Sequence, residues 1–165
     1  EGKEVDLSQI DSEIIFEWSN LECPYVKRHY GSNNMQTTQK FAKSKNVIWI
    51  TVISSAEGKQ GYIQPNDAVN TFASFGSFPD HILVDENGDL GKKFNAKTTP
   101  HIFIADKNKN IVYQGAIDDA GGSRFWTTDL NQSTNFVKKV VNDIKSNKPL
   151  SVSKTRPYGC SVKYG

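Results

Sequence analysis

The chain has 165 residues, 36% of them hydrophobic and 23% charged, with a formal net charge of +2. That length holds one domain with a full hydrophobic core. The scattered, nearly balanced charge argues against a nucleic-acid or anionic-membrane surface, and no apolar run approaches the ~20 residues needed to span a bilayer. Two cysteines, Cys23 and Cys160, are too few for a disulfide scaffold and have the wrong number and spacing for a structural zinc site. The chain begins at Glu1 rather than at a methionine, which reads as a processed or trimmed product without any targeting peptide.

Lys3 to Ile10 alternates weakly and is expected to form a short edge strand and turn. Glu13 to Trp18 is a nearly continuous apolar run, the pattern of a strand buried on both faces. A helical stretch should open at Cys23-Pro24 and stop near Tyr30, where Gly31-Ser32-Asn33-Asn34 supplies a C-cap glycine and new N-cap residues. A longer helix is expected from about Asn34 to Ser44, then a β-branched strand from Val47 to Ile53. Ser54 to Gln64 reads as a loop, and Pro65-Asn66-Asp67 starts a helix running to about Phe75. His81 to Val84 is a short strand, Asp85 to Gly88 a turn, and Asp89 to Phe94 a short helix. His101 to Ala105 and Ile111 to Ile117 read as a β-hairpin joined by Asp106 to Asn110. Asp118 to Asp129 is a loop, and Ser133 to Ser146 is amphipathic, with Phe136, Val137, Val140, Val141 and Ile144 at helical spacing. The sum is α/β: a central mixed β-sheet flanked by helices over residues 1–148, with 149–165 as a tail carrying Cys160.

The stretch Phe16 to Tyr30 carries the chemistry. A strand delivers Cys23 to the start of a helix whose first residue, Pro24, needs no N–H partner. A thiol so placed meets unpaired amides and the positive end of the helix dipole, which can lower its pKa from ~8.5 to roughly 3.5–7.5. Lys27 and Arg28 add positive charge if their side chains turn toward the sulfur. The bland alternative is a buried cysteine acting as a small hydrophobe. Thr98-Thr99-Pro100 sits directly before a strand, where a proline is tolerated because it cannot donate to the ladder. A cis bond there competes with an ordinary trans proline ending a loop.

Taken together, strand-Cys-helix, "TTPHIFIADKNKNIVYQGAID" and a terminal helix resemble the thioredoxin-fold superfamily. The segments "EWSNLECPYVKRHYGSNNMQ", "SSAEGKQGY" and "PYGCSVKY" are similar to peroxiredoxin-like redoxins of the alkyl-hydroperoxide-reductase/thiol-specific-antioxidant group. The helix and strand of Pro65–Val84 look like the insertion of the peroxiredoxin and TlpA-type branches. The resemblance implies a thioredoxin-like fold, a cis Pro100 preceded by Thr99 beside a reactive Cys23, and thiol redox chemistry. Three departures stand out. Val26 replaces the second cysteine of CxxC. Phe16 and Asn20 replace the proline and threonine of PxxxTxxC. The peroxiredoxin arginine position falls near Pro100, leaving Arg124 and Arg156 as substitutes that nothing in the sequence places at the sulfur.

Cys160 has three readings: a resolving thiol carried by a mobile tail, a cysteine buried in a small docked strand or turn, or half of a chain-to-chain disulfide. His29 and His101 with Cys23 allow a copper site, against which stands Lys27 in place of the second cysteine of CxxxC; as ordinary residues the histidines belong to the surface or a strand. Trp18 and Tyr25 wall off the thiol or simply fill core and cap. Glu17 carries a proton near Cys23 or faces an edge, and the Asp118-Asp119 pair reads as turn chemistry. The expected function is thiol-based: Cys23 as nucleophile, reducing peroxides or exchanging disulfides, without a cofactor or metal. The competing class is a non-enzymatic module binding partners in the groove around Pro100. Expected partners are a thiol electron donor (a thioredoxin-like protein or small thiol) and a peroxide or disulfide substrate, in a monomer or homodimer. An extracytoplasmic location is favoured over a cytoplasmic one.

Overall fold

The structure, a computed structural model, describes residues 4–165. In chain order its strands and helices are β1 (Ile14–Trp18), α1 (Pro24–Gly31), α2 (Asn34–Ser44), β2 (Ile48–Ile53), α3 (Ala68–Ser74) and β3 (His81–Val84). They continue with α4 (Asp89–Phe94), β4 (Thr98–Thr99), β5 (His101–Ala105), β6 (Ile111–Gly115), α5 (Phe136–Lys145) and β7 (Cys160–Ser161). Five strands form one sheet in the order β3-β2-β1-β5-β6, and β4 pairs with β7 in a second, small sheet.

β1 occupies the centre, parallel to β2 and antiparallel to β5, with Glu17 opposite Thr51 on one side and Ile102 on the other. Helices covering both faces explain why all of β1 is apolar or buried. Successive side chains alternate between faces. Ile15, Ile53, Ile102 and Ile104 meet Val26, Tyr30, Met35, Ala42, Val137, Val140 and Val141 of α1, α2 and α5. Ile14, Phe16, Trp18, Ile50, Val52 and Phe103 form the opposite core with Leu90 and Phe94 of α4. Trp18 belongs to this second core, with its indole N–H donated to Ser54 Oγ at 3.0 Å.

Three sequence expectations change. The described part of Lys3–Ile10 is no edge strand: Asp6 Oδ1 accepts from the Ser8 amide at 3.0 Å and its hydroxyl at 2.6 Å, closing a short 3-10 turn over Leu7–Gln9. Lys3, the first residue of that stretch, lies outside the described part. The last strand of the hairpin stops at Gly115, because Ala116 donates instead to Thr155 Oγ1 of the tail. Thr98–Thr99, expected as loop, is a strand because the tail supplies it with a partner. Residues 149–165 run across the body and are tied to it along their length: Thr155 N to Gln114 O, Val162 N to Lys97 O, Ala56 N to Lys163 O, and the Tyr164 hydroxyl to Ala96 O.

Candidate functional site

The loop between β1 and α1 is shaped by Asn20. Its Oδ1 accepts from the Glu22 amide at 2.9 Å, its carbonyl accepts from the Cys23 amide at 3.0 Å, and its Nδ2 donates to Gln60. This turn sets Cys23 as the N-cap of α1, in extended backbone geometry, with Pro24 at the first helical position. The amides of the first turn are unpaired by the helix itself, so the sulfur sits at the positive end of the helix dipole.

Across from it, the Thr99–Pro100 peptide bond is cis. The Thr99 carbonyl oxygen lies 3.4 Å from Cys23 Sγ. Thr99 pairs with Cys160 across the antiparallel β4–β7 ladder, and Cys23 and Cys160 form a disulfide with a Cα–Cα separation of 6.2 Å, within the usual range. Cys160 is therefore both strand-bound and joined to Cys23, two readings that the sequence alone keeps apart; the bond is within the chain rather than between chains. The strip beside Pro100 that a partner-binding module would offer is filled by β7. Gly159, at φ 144°, lets the tail backbone press against the Thr99 carbonyl.

A buried polar cluster positions the tail upstream of Cys160. The Tyr158 hydroxyl donates to Asp118 Oδ1 and lies 3.2 Å from His29 Nε2. Asn34 Nδ2 donates to His29 Nδ1 at 3.0 Å and to Asp118 Oδ2 at 3.3 Å. With Nδ1 accepting and the tyrosine proton committed to Asp118, the imidazole proton belongs on Nε2, facing the Tyr158 oxygen. Burial holds His29 neutral, with a pKa lowered to about 3, the Arg28 charge adding to the effect. Burial likewise raises the pKa of Asp118, and burial and the Asp118 charge raise that of Tyr158.

His29 is thus an interior residue rather than a surface one, and Asp118 does more than turn a loop. Their signals in the sequence, "RHY", "GAIDD" and "PYGC", lie far apart, and only the fold brings them together. His101 is a strand residue, as one reading has it, but buried; burial and Lys97 lower its pKa to about 4.

Glu17 is buried on the central strand instead of facing an edge. Trp49 Nε1 and Thr51 Oγ1 each donate to Oε1 at 3.0 Å, and the Tyr30 hydroxyl donates to Oε2 at 2.9 Å. Desolvation outweighs these bonds and raises its pKa to about 7. Lys27 and Arg28 are engaged elsewhere. Arg28 turns to the carbonyls of Phe125 and Thr128, and Lys27 lines a separate cleft with Glu22, Gly61 and Tyr62. Arg156 lines a cleft of about 680 Å³ with Tyr25, Thr98 and Gly159, while Arg124 lines a neighbouring one. Among the described residues neither arginine is hydrogen-bonded to the cysteine pair. Tyr25 belongs to an aromatic group with Phe125, Trp126 and Tyr158.

The Redoxin family profile matches residues 1–127. The chain belongs to the Redoxin family. No protein of curated function shows significant sequence similarity to it. Among solved structures it is similar to an uncharacterized conserved protein from Geobacillus kaustophilus, at 20% identity and a TM-score of 0.77, covering 94% of this chain and 78% of that one. A hypothetical protein from Sinorhizobium meliloti is similar at 18% identity and a TM-score of 0.75, covering 94% and 81%. A thioredoxin-like protein solved in solution in its oxidized form is similar at 18% identity and a TM-score of 0.61, covering 89% and 88%. These likenesses establish the thioredoxin-like fold for this redoxin. Family membership together with the joined cysteine pair supports a thiol-based oxidoreductase.

Proposed function

We propose that this redoxin is a thiol–disulfide exchange protein whose two-electron couple is Cys23–Cys160. The observation that carries the reading is the Thr99–Cys160 pairing, which sets the second cysteine against the first without a CxxC motif. The tail is bonded to the body on both sides of Cys160, so closing the disulfide needs no large excursion. Peroxide reduction is the less favoured chemistry here. It requires a peroxide to reach Cys23, which is 0% exposed with the disulfide closed, and donors that polarise the O–O bond.

Thr99 and Pro100 shape the site: Thr99 contributes its carbonyl to the Cys23 side and its strand edge to the Cys160 side. Partners in this reading are a thiol donor and a disulfide, or a dithiol and an electron acceptor, depending on direction. A cysteine pair joined in its oxidised form fits an extracytoplasmic compartment, where thiols are not kept reduced.

Equilibration in glutathione redox buffers tests the proposal, with the thiols counted by alkylation and mass spectrometry. A single two-electron transition is expected in the wild type, together with reduction of a model protein disulfide, and neither in Cys23→Ser nor in Cys160→Ser. Turnover of hydrogen peroxide without any disulfide exchange would overturn it.

A further inference from the structure

The two cysteines differ in exposure, and only one of them stands at a helix N-terminus. Cys23 is 0% exposed, enclosed by Val26, Ile102 and their neighbours in the larger core. Cys160 packs against the edge of the same core but is only partly buried, on a two-residue strand whose other residue, Ser161, is exposed. Gly159 beside it lines the 680 Å³ cleft with Tyr25, Thr98 and Arg156. Exchange requires a thiolate to reach one sulfur and the other to leave, so access selects the attacked atom. The better leaving group is the thiol of lower pKa. Cys23, at the N-terminus of α1, has the helix dipole to stabilise the departing thiolate.

We propose that Cys160 is the sulfur through which external thiols exchange, and that Cys23, the expected nucleophile, is the internal leaving group. This rests on the exchange reading above. An external thiolate attacks Cys160 Sγ; a bond forms between them, and the Cys160–Cys23 bond breaks with its electron pair going to Cys23 Sγ. A second external thiolate attacks the outer sulfur of the mixed disulfide, releasing Cys160 as thiolate and the two external thiols as their disulfide. The protein gains two electrons and, on protonation of the two thiolates, two protons. The Thr99 carbonyl, 3.4 Å from Cys23 Sγ, is placed to accept the S–H of the protonated Cys23. In reverse, Cys160 thiolate opens a substrate disulfide and Cys23 thiolate then attacks Cys160 Sγ to release the bound half.

The experiment uses the oxidised wild-type protein, treated briefly with glutathione, quenched in acid and mapped by peptide mass spectrometry. Glutathione on the Cys160 peptide, with Cys23 free, is the expected result. Glutathione on Cys23 with Cys160 free overturns the assignment while leaving the exchange function intact. Absence of either adduct, with the disulfide unreduced in excess thiol, defeats the exchange reading and this assignment together. As a second readout, Cys23→Ser, which keeps Cys160, should react with an aromatic disulfide reagent at least tenfold faster than Cys160→Ser. Equal rates, or the reverse order, in variants with unchanged circular dichroism would also overturn it.

Discussion

The Tyr158 hydroxyl of the tail is donated to the buried Asp118 carboxylate, two residues before the redox cysteine Cys160. His29 Nε2 faces the same oxygen at 3.2 Å, so one hydroxyl satisfies an acid from the loop after β6 and a base from α1. Tyr158→Phe removes it and leaves both buried partners short of a bond. An unmet buried polar group costs about 1–3 kcal/mol, and urea unfolding of the oxidised variant should show a loss of that size. Weaker docking of the tail also makes the disulfide easier to reduce, raising its potential by up to roughly 20–60 mV. An unchanged midpoint and potential would show that the cluster does not hold the tail.

Gly159→Ala tests the close approach of β7 to the Pro100 loop. The added methyl would fall against the Thr99 carbonyl, which is backbone and has little freedom to yield, and φ 144° is strained for any side chain. The variant should lose the Thr99–Cys160 pairing and close its disulfide more slowly, read by thiol counting after rapid addition of oxidant. Disulfide closure at the wild-type rate would mean that the pairing is dispensable.

Reducing the disulfide should lower stability, because Cys23 and Cys160 are 137 residues apart and the bond closes nearly the whole chain. Native disulfides are worth about 2–5 kcal/mol, with the entropic model giving the upper end for long loops. At about 2–4 °C per kcal/mol for a chain of this size, calorimetry in excess dithiothreitol should show a melting temperature lower by roughly 5–20 °C. The bonds holding Val162, Lys163 and Tyr164 should keep the tail protected from proteolysis in the reduced form. Cleavage near residue 150 on reduction would contradict this.

Glu17 should impose its own pH dependence. Burial raises its pKa in the folded state from 4.5 to about 7, so the fold holds the proton more tightly than the unfolded chain. The stability this confers is fully present below about pH 4.5 and is lost as pH rises through about 7. Its size is on the order of 3 kcal/mol. His29 and His101 act with the opposite sign: their lowered values, about 3 and about 4, confer stability that is lost as pH falls below about 6.5. Comparing Glu17→Gln with the wild type isolates the carboxyl. The stability difference should shift in favour of the variant between pH 4.5 and 7 and be flat on either side. A difference that does not vary with pH would show that Glu17 titrates normally.

The amino-acid order by itself determined what depends on neighbours along the chain. Asn34–Ser44 is a helix with the expected bounds because its apolar spacing is local, although Asn33 gives it no side-chain cap, and β1, β2, β3 and β5 follow from short apolar runs between turn residues. The same locality made Cys23-Pro24 recognisable as a helix start, and Thr99-Pro100 as the approach to a strand. Only the tertiary structure decided the partners. Thr98–Thr99 has no strand character until β7 arrives, Glu17 looks polar until Trp49, Thr51 and Tyr30 close around it, and Cys23 meets Cys160 across 137 residues. The reason is that local conformation is set by sterics and bonds within a few residues. Burial and pairing are set by which surfaces the whole chain brings together, and one sequence position carries no record of that.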